Sequence, residues 1–144
     1  MTTGNSGACL ARSLHSVHQR FGFSGSQPKR QSFTILTSGT SMYLDGFWGS
    51  SSDNVFVVGD GGSILKYNGS TWSTLTSNTT NDLYAVWGNS SSDVYAAGFG
   101  GTILHYDGSA WSTMTSGTDT SRLRGIWGNS SSNILIVGDS GTIL

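Results

Sequence analysis

The sequence predicts an all-β fold of short antiparallel strands, on three observations. First, helix-building residues are scarce: of 144 residues none is Glu, charged residues make up 10%, and 42 are Ser or Thr. Helices are filled with Glu, Lys, Ala and Leu, so this composition argues against an α-helical domain. Second, runs rich in Val, Ile, Tyr, Trp and Thr are separated by Gly, Asn, Asp and Ser, the punctuation of strands and turns. Third, the chain repeats itself, with Trp48, Trp87 and Trp127 marking a period of 39 to 40 residues. Low charge with abundant Gly, Ser and Thr is also a composition of disorder. Five Trp, five Tyr and six Phe, periodically placed, argue otherwise.

Residues 1–32 stand apart as a basic, Ser/Gly-rich tail, expected to be disordered. The segment holds Arg12, Arg20, Lys29 and Arg30 and no acid. It has no apolar core of the kind a secretory signal needs, and nothing hydrophobic precedes Ser6-Gly7-Ala8-Cys9, which faintly resembles a lipoprotein cleavage site. Arg and Ser without acid is also the composition of an organelle transit peptide, and Leu10, Leu14, Val17 and Phe21 form a short amphipathic helical stripe. Cys9 is the only cysteine, so no intrachain disulfide can form.

The repeats occupy residues 33–144. An opening segment, Phe33–Ser38, matches the end of a unit, since Phe33-Thr-Ile-Leu-Thr-Ser-Gly-Thr40 parallels Trp111-Ser-Thr-Met-Thr-Ser-Gly-Thr118. Units 44–82 and 83–122 follow, and a third, 123–144, ends early. Each unit holds four strand-like runs, a to d. In the second they are Leu83–Trp87, Val94–Gly98, Thr102–Tyr106 and Trp111–Thr115. A polar Gly-Asn-Ser-Ser-Ser loop is expected between a and b, and a Gly-rich turn such as Gly98–Gly101 between b and c. Between c and d, Asn68-Gly69 and Asp107-Gly108 predict type I′ hairpin turns.

The b runs, Val-Phe-Val-Val, Val-Tyr-Ala-Ala and Ile-Leu-Ile-Val, do not alternate apolar with polar residues. A sheet wetted on one face would alternate, so these strands are expected to be buried on both faces. Four-stranded antiparallel sheets covered on both faces, at a period near 40, are the blades of a β-propeller. The run Trp87-Gly-Asn-Ser-Ser-Ser-Asp-Val-Tyr-Ala-Ala-Gly98, then Gly101-Thr-Ile-Leu-His-Tyr-Asp-Gly108, then Trp111, resembles a propeller repeat of bacterial surface and secreted proteins. It is more distantly similar to sialidase-type Asp-box repeats and to photosystem II assembly-factor propellers. Gly108-x-x-Trp111 fits the Asp-box, while Tyr106 stands where that motif carries Asp. The resemblance implies an extracellular or cell-envelope setting.

Three blades are too few for a ring, where four to eight are usual. Two expectations follow: a homodimer that closes a six-bladed ring, or a fragment whose remaining blades belong to a longer chain. Ending mid-strand at Ile143-Leu144 reads as truncation, which makes the propeller incomplete.

Gly138-Asp139-Ser140-Gly141 matches the tetrapeptide around a trypsin-like nucleophile. Its place is that of Gly59–Gly62 and Gly98–Gly101, so a b–c turn is expected instead. Asp53, Asp93 and Asn133 recur after the serine run; as one acid per unit they are read as loop caps rather than Ca²⁺ ligands. No metal or other cofactor is expected. His105 stands where the first unit has Lys66. Trp48, Trp87 and Trp127 end strand a, and Trp72 and Trp111 begin strand d; recurrence at fixed places reads as packing between blades. One aromatic per blade would also suit a repeated sugar site. Four Asn-x-Ser/Thr acceptors, at Asn68, Asn78, Asn89 and Asn129, fit a Ser/Thr-rich composition without further meaning.

Binding is expected where the units differ. Those positions are Tyr43/Asp82/Arg122 and Asp45/Tyr84/Arg124, flanking the start of strand a, and Asp60/Phe99/Asp139 on the b–c turn. The candidate binding residues are Tyr84, Phe99, Arg122 and Arg124, with His105. From residue 44 onward eight Asp oppose only Lys66, Arg122 and Arg124, which excludes long-range steering of nucleic acid by the repeats. No run approaches the ~18 apolar residues of a membrane span. The preferred function is a non-catalytic scaffold for a protein partner. The alternative is a lectin-like glycan binder. A fragment of a sialidase-like glycoside hydrolase is least supported, for want of Glu, an arginine cluster and paired carboxylates.

Overall fold

A computed structural model describes residues 33–119 and 121–144. The chain divides into two units, Met1–Ile35 and Leu36–Leu144. The expected tail, residues 1–32, lies outside the described residues.

Among the described residues, ten strands form the second unit. The first sheet is β1 (Leu44–Ser51), β2 (Asn54–Gly59), β3 (Ile64–Tyr67) and β4 (Trp72–Leu75). The second is β5 (Leu83–Ser90), β6 (Asp93–Gly98), β7 (Ile103–Tyr106) and β8 (Trp111–Met114). The third is β9 (Leu123–Ser130) with β10 (Asn133–Gly138). Every pairing is antiparallel between chain neighbours, in the order 1-2-3-4 and 5-6-7-8. The fold is therefore all-β, with four-stranded antiparallel sheets compatible with propeller-like blades; the described residues close no ring.

The register repeats as the sequence does. Trp48 faces Phe56, Trp87 faces Tyr95 and Trp127 faces Leu135. Lys66 and His105 occupy one place, opposite Phe56 and Tyr95. The third unit continues past β10 only as a bridge between Val137 and Ile143, flanked by the Ile136–Leu144 backbone bonds of 3.0 and 2.9 Å.

Three expectations about local structure are corrected. The serine-rich stretch is not a loop: β5 runs on to Ser90, and only Ser91 and Ser92 turn before Asp93. Serine has no strong preference of its own, so the partner strand decides. The c–d turns are not type I′, which needs positive φ at both central residues. Gly69 and Gly108 have φ of +92° and +98°, but neither Asn68 nor Asp107 does. Each is a four-residue loop with Tyr67 paired to Trp72, or Tyr106 to Trp111. In it one side-chain oxygen gathers the loop's donors: Asn68 Oδ1 accepts from the Ser70 and Thr71 amides at 3.0 and 2.9 Å. Finally, Phe33–Ser38 carries no strand. An extended segment becomes a strand only with a ladder partner, and none is among the described residues; Phe33 and Ile35 are 97% and 98% exposed.

The core lies between successive sheets. Phe56, Val58 and Ile64 of the first join Leu83, Val86, Val94, Leu104, Tyr106 and Trp111 of the second. Phe56 meets the Trp111 ring edge-on at 6.1 Å and Tyr106 at 5.4 Å. A smaller cluster joins Ala97 and Ile103 to Leu123 and Ile136 of the third sheet. β6, with a sheet on each side, is buried from Val94 to Gly98, whereas β10 alternates between exposed and covered residues. The uniformly apolar b run is therefore matched by burial in the middle sheet, where both faces are covered.

Candidate functional site

The b–c turns and the starts of the a strands are locked together in every unit. The amide of the first turn residue donates to the carbonyl just before strand a: Asp60 to Tyr43 at 3.0 Å, Phe99 to Asp82 at 2.8 Å, Asp139 to Arg122 at 2.9 Å. Each turn is a 3₁₀ turn, at Asp60–Gly62, Phe99–Gly101 and Asp139–Gly141. Gly101, at φ +67°, is required there because a Cβ would strike the Thr118 carbonyl. This backbone bracket holds six divergent side chains of three units on one surface.

Contacts also run from the start of a strand a back to the sheet before it or to the turn that follows that sheet's strand b. The Asp82 carboxylate accepts from the Gly61 amide at 2.9 Å. The Arg122 guanidinium lies over the Phe99 ring at 5.6 Å, and that of Arg124 over Tyr84 at 5.8 Å. Within the third unit Arg124 grips Asp139 with two bonds, Nε to Oδ1 at 2.5 Å and Nη2 to Oδ2 at 3.2 Å. The Arg124 bond holds the Asp139 carboxyl below the usual carboxylate range, and Asp139 raises the guanidinium in turn. At the other end of the surface the charges are alike. Partial desolvation, then the carboxylates of Asp82 and Asp45, push Asp60 up. The surface thus passes from acidic, through Tyr84 and Phe99, to basic.

Four of the five candidate residues, Tyr84, Phe99, Arg122 and Arg124, are brought together here. His105 is not. It stands near the other end of β7, where its Nε2 lies 2.8 Å from Asp93 Oδ1 and its ring lies tilted against Tyr95, centroids 4.6 Å apart. Burial, then the Asp93 carboxylate, raises the Tyr95 phenol. Asp139 was legible only as a divergent position; its bidentate bond to Arg124, fifteen residues away in the chain, has no local sequence signal.

The Trp residues divide as their positions do. Trp48 reaches the next sheet, where a Cβ on Gly88 would come within 2.6 Å of its ring. Trp87 stands likewise on Gly128, at 2.8 Å. Trp127 is 56% exposed. Trp72 meets Tyr67 at a tilt with ring centroids 4.9 Å apart, and Trp111 meets Tyr106 likewise at 5.2 Å. Beside each pair lies a groove of about 400 Å³, one walled by Leu36–Gly39 and the other by Thr74, Leu75, Thr76 and Asn78. Sequence reading marked the Trp of these grooves but not their Tyr partners.

The recurring acid after the serine run needs realignment. Asn54, Asp93 and Asn133 are the equivalent residues, each paired across the hairpin with a serine; Asp53 sits one place earlier, in the turn. Asp53 accepts from the Ser51 hydroxyl and Asp93 meets His105. Among the described residues no three His, Cys, Asp or Glu side chains converge on a point that could hold a metal. Ser140 lies in the third 3₁₀ turn, at the place of Gly61 and Gly100. No helix among the described residues is long and apolar enough to cross a membrane.

In comparisons of sequence and of structure, the chain matches no family model, no curated protein and no solved structure.

Proposed function

We infer that the chain is a propeller-type repeat scaffold, without catalytic activity, that binds a protein partner. The contact surface is formed by Tyr84, Phe99, Arg122, Arg124 and Asp139. One observation carries this reading: the backbone bracket is the same in all three units, while the side chains it presents differ, Asp60 with Tyr43, Phe99 with Asp82 and Asp139 with Arg122. Arginine and aromatic residues are those on which protein interfaces concentrate their binding energy. The test is to select peptide ligands from a displayed library on the intact chain. Binding lost in Phe99→Ala/Arg122→Ala and kept in His105→Ala supports the surface. Ligands indifferent to Phe99 and Arg122 overturn it.

A second reading, a glycan binder with one site per unit, is favoured by the two equivalent grooves at Tyr67/Trp72 and Tyr106/Trp111. Sugar rings stack on open aromatic faces, and Trp111 is only 3% exposed. A glycan array that gives binding abolished by Trp72→Ala would move the assignment to this reading.

A further inference from the structure

The outer faces of the first and third sheets carry the two halves of the contact that the inner faces already make. Between units the contact follows fixed rules. The Trp of strand a stands on the glycine after the next unit's Trp, as Trp87 stands on Gly128. The Leu that opens strand a is buried against the preceding unit: Leu83 and Leu123 are both 0% exposed. On the b strands Phe56 and Val58 cluster with Leu83, and Ala97 with Leu123; Tyr95, at the place of Phe56, is buried too.

The same positions are open at the two ends. Leu44 and Phe47 are 41% and 78% exposed at one end; Leu135 and Val137 are 47% and 48% exposed at the other, beside Trp127. We propose that these two faces dock on each other between two copies of this chain, head to tail. Trp127 of one copy stands on Gly49 of the second, and Leu44 and Phe47 of the second cover Leu135 and Val137.

Charge supports the same occupant. Within the chain, residue 124 lies over residue 84 of the preceding unit, and residue 122 over residue 99. Carried across the seam, these rules set Asp45 of the second copy over Arg124, and Tyr43 beside Asp139. An acid meets a base, and a phenol meets a carboxylate. Two such seams would close a ring of two copies. The ring rests on the propeller reading above; the seam rests on the repeat geometry alone.

Sedimentation of the whole chain at micromolar concentration tests both. The expected species has about twice the 15.1 kDa of one chain. Phe47→Asp and Trp127→Ser alter exposed residues at opposite ends, and each variant alone is expected to sediment as a single chain. An equimolar mixture of the two retains one seam with both faces intact, so it is expected to recover the dimer. A monomeric wild type overturns the seam. A dimer that only one of the variants disrupts also overturns it, since a face would then be pairing with itself. Open-ended polymers of the wild type would keep the seam and overturn the closed ring.

Discussion

The indole of Trp87 stands on Gly128 of the following unit, so closely that a Cβ there would lie 2.8 Å from the ring. Trp48 stands on Gly88 in the same way, at 2.6 Å. Large ring and missing side chain are two halves of one joint. Trp87→Ala is expected to cost about 3 kcal/mol, the low end for a large aromatic because the ring is partly covered. Gly88→Val, which overfills the same kind of joint, is expected to cost about 1–3 kcal/mol. Urea unfolding of both variants checks this; a Trp87→Ala chain as stable as the wild type would remove the joint from the account.

Ser140 adopts φ +58° where the other two units use Gly61 and Gly100. A left-handed backbone with a Cβ costs about 1 kcal/mol. Ser140→Gly is therefore expected to stabilise the chain by up to about 1 kcal/mol, less the entropy that a glycine adds to the unfolded state. Thermal unfolding would show a raised midpoint, and a lowered one would mean that the serine hydroxyl has a use in the turn.

Asp107 gathers the Ala110 amide at 2.9 Å and the Ser109 amide and hydroxyl at 2.8 and 2.7 Å. These bonds, with that to Ala110 the largest, lower its carboxyl to about 2 from 3.8. A depressed folded value means stability that is present above the unfolded value and lost as pH falls through the folded one. Asp107→Asn keeps an oxygen acceptor without the charge. The gap in midpoint between wild type and this variant should be largest above pH 4 and close towards pH 2. A gap independent of pH would show that the charge is idle.

Asp60 has the opposite sign. Its carboxyl is raised by partial desolvation and by Asp82 and Asp45. The strain is present above the folded value and vanishes below the unfolded one. Asp60→Asn should unfold at higher temperature than the wild type at neutral pH, with the advantage shrinking in acid and in high salt. An advantage that persisted in acid would point away from repulsion.

The strands and their order were legible because the cues were local and repeated: Val94–Gly98 is apolar throughout, and it is the strand with a sheet on each side. What the sequence concealed depends on pairing. Asn89 and Ser90 read as loop residues, yet both lie in β5, where Ser90 pairs with Asp93 of β6. Asn68-Gly69 reads as a tight hairpin, yet the Asn oxygen serves better as an acceptor for the loop amides. At the candidate site, divergence between units pointed to Tyr84, Phe99, Arg122 and Arg124. It could not show that Arg124 spans to Asp139, nor that His105 turns to Asp93 instead. Those choices are made by distance in space, which a spacing in sequence does not encode.

Because Trp48 and Trp87 lean the same way along the chain, the joint has a direction, and direction makes a unit exchangeable. An extra 39–40 residues inserted by gene duplication between Asp82 and Leu83 would offer a glycine to Trp48 and a Trp to Gly88. Each new joint would repeat the form of the one it replaces. The lineage can lengthen or shorten by whole units while the side chains on the b–c turns drift independently. Selection on the joint and selection on the surface would leave separate marks.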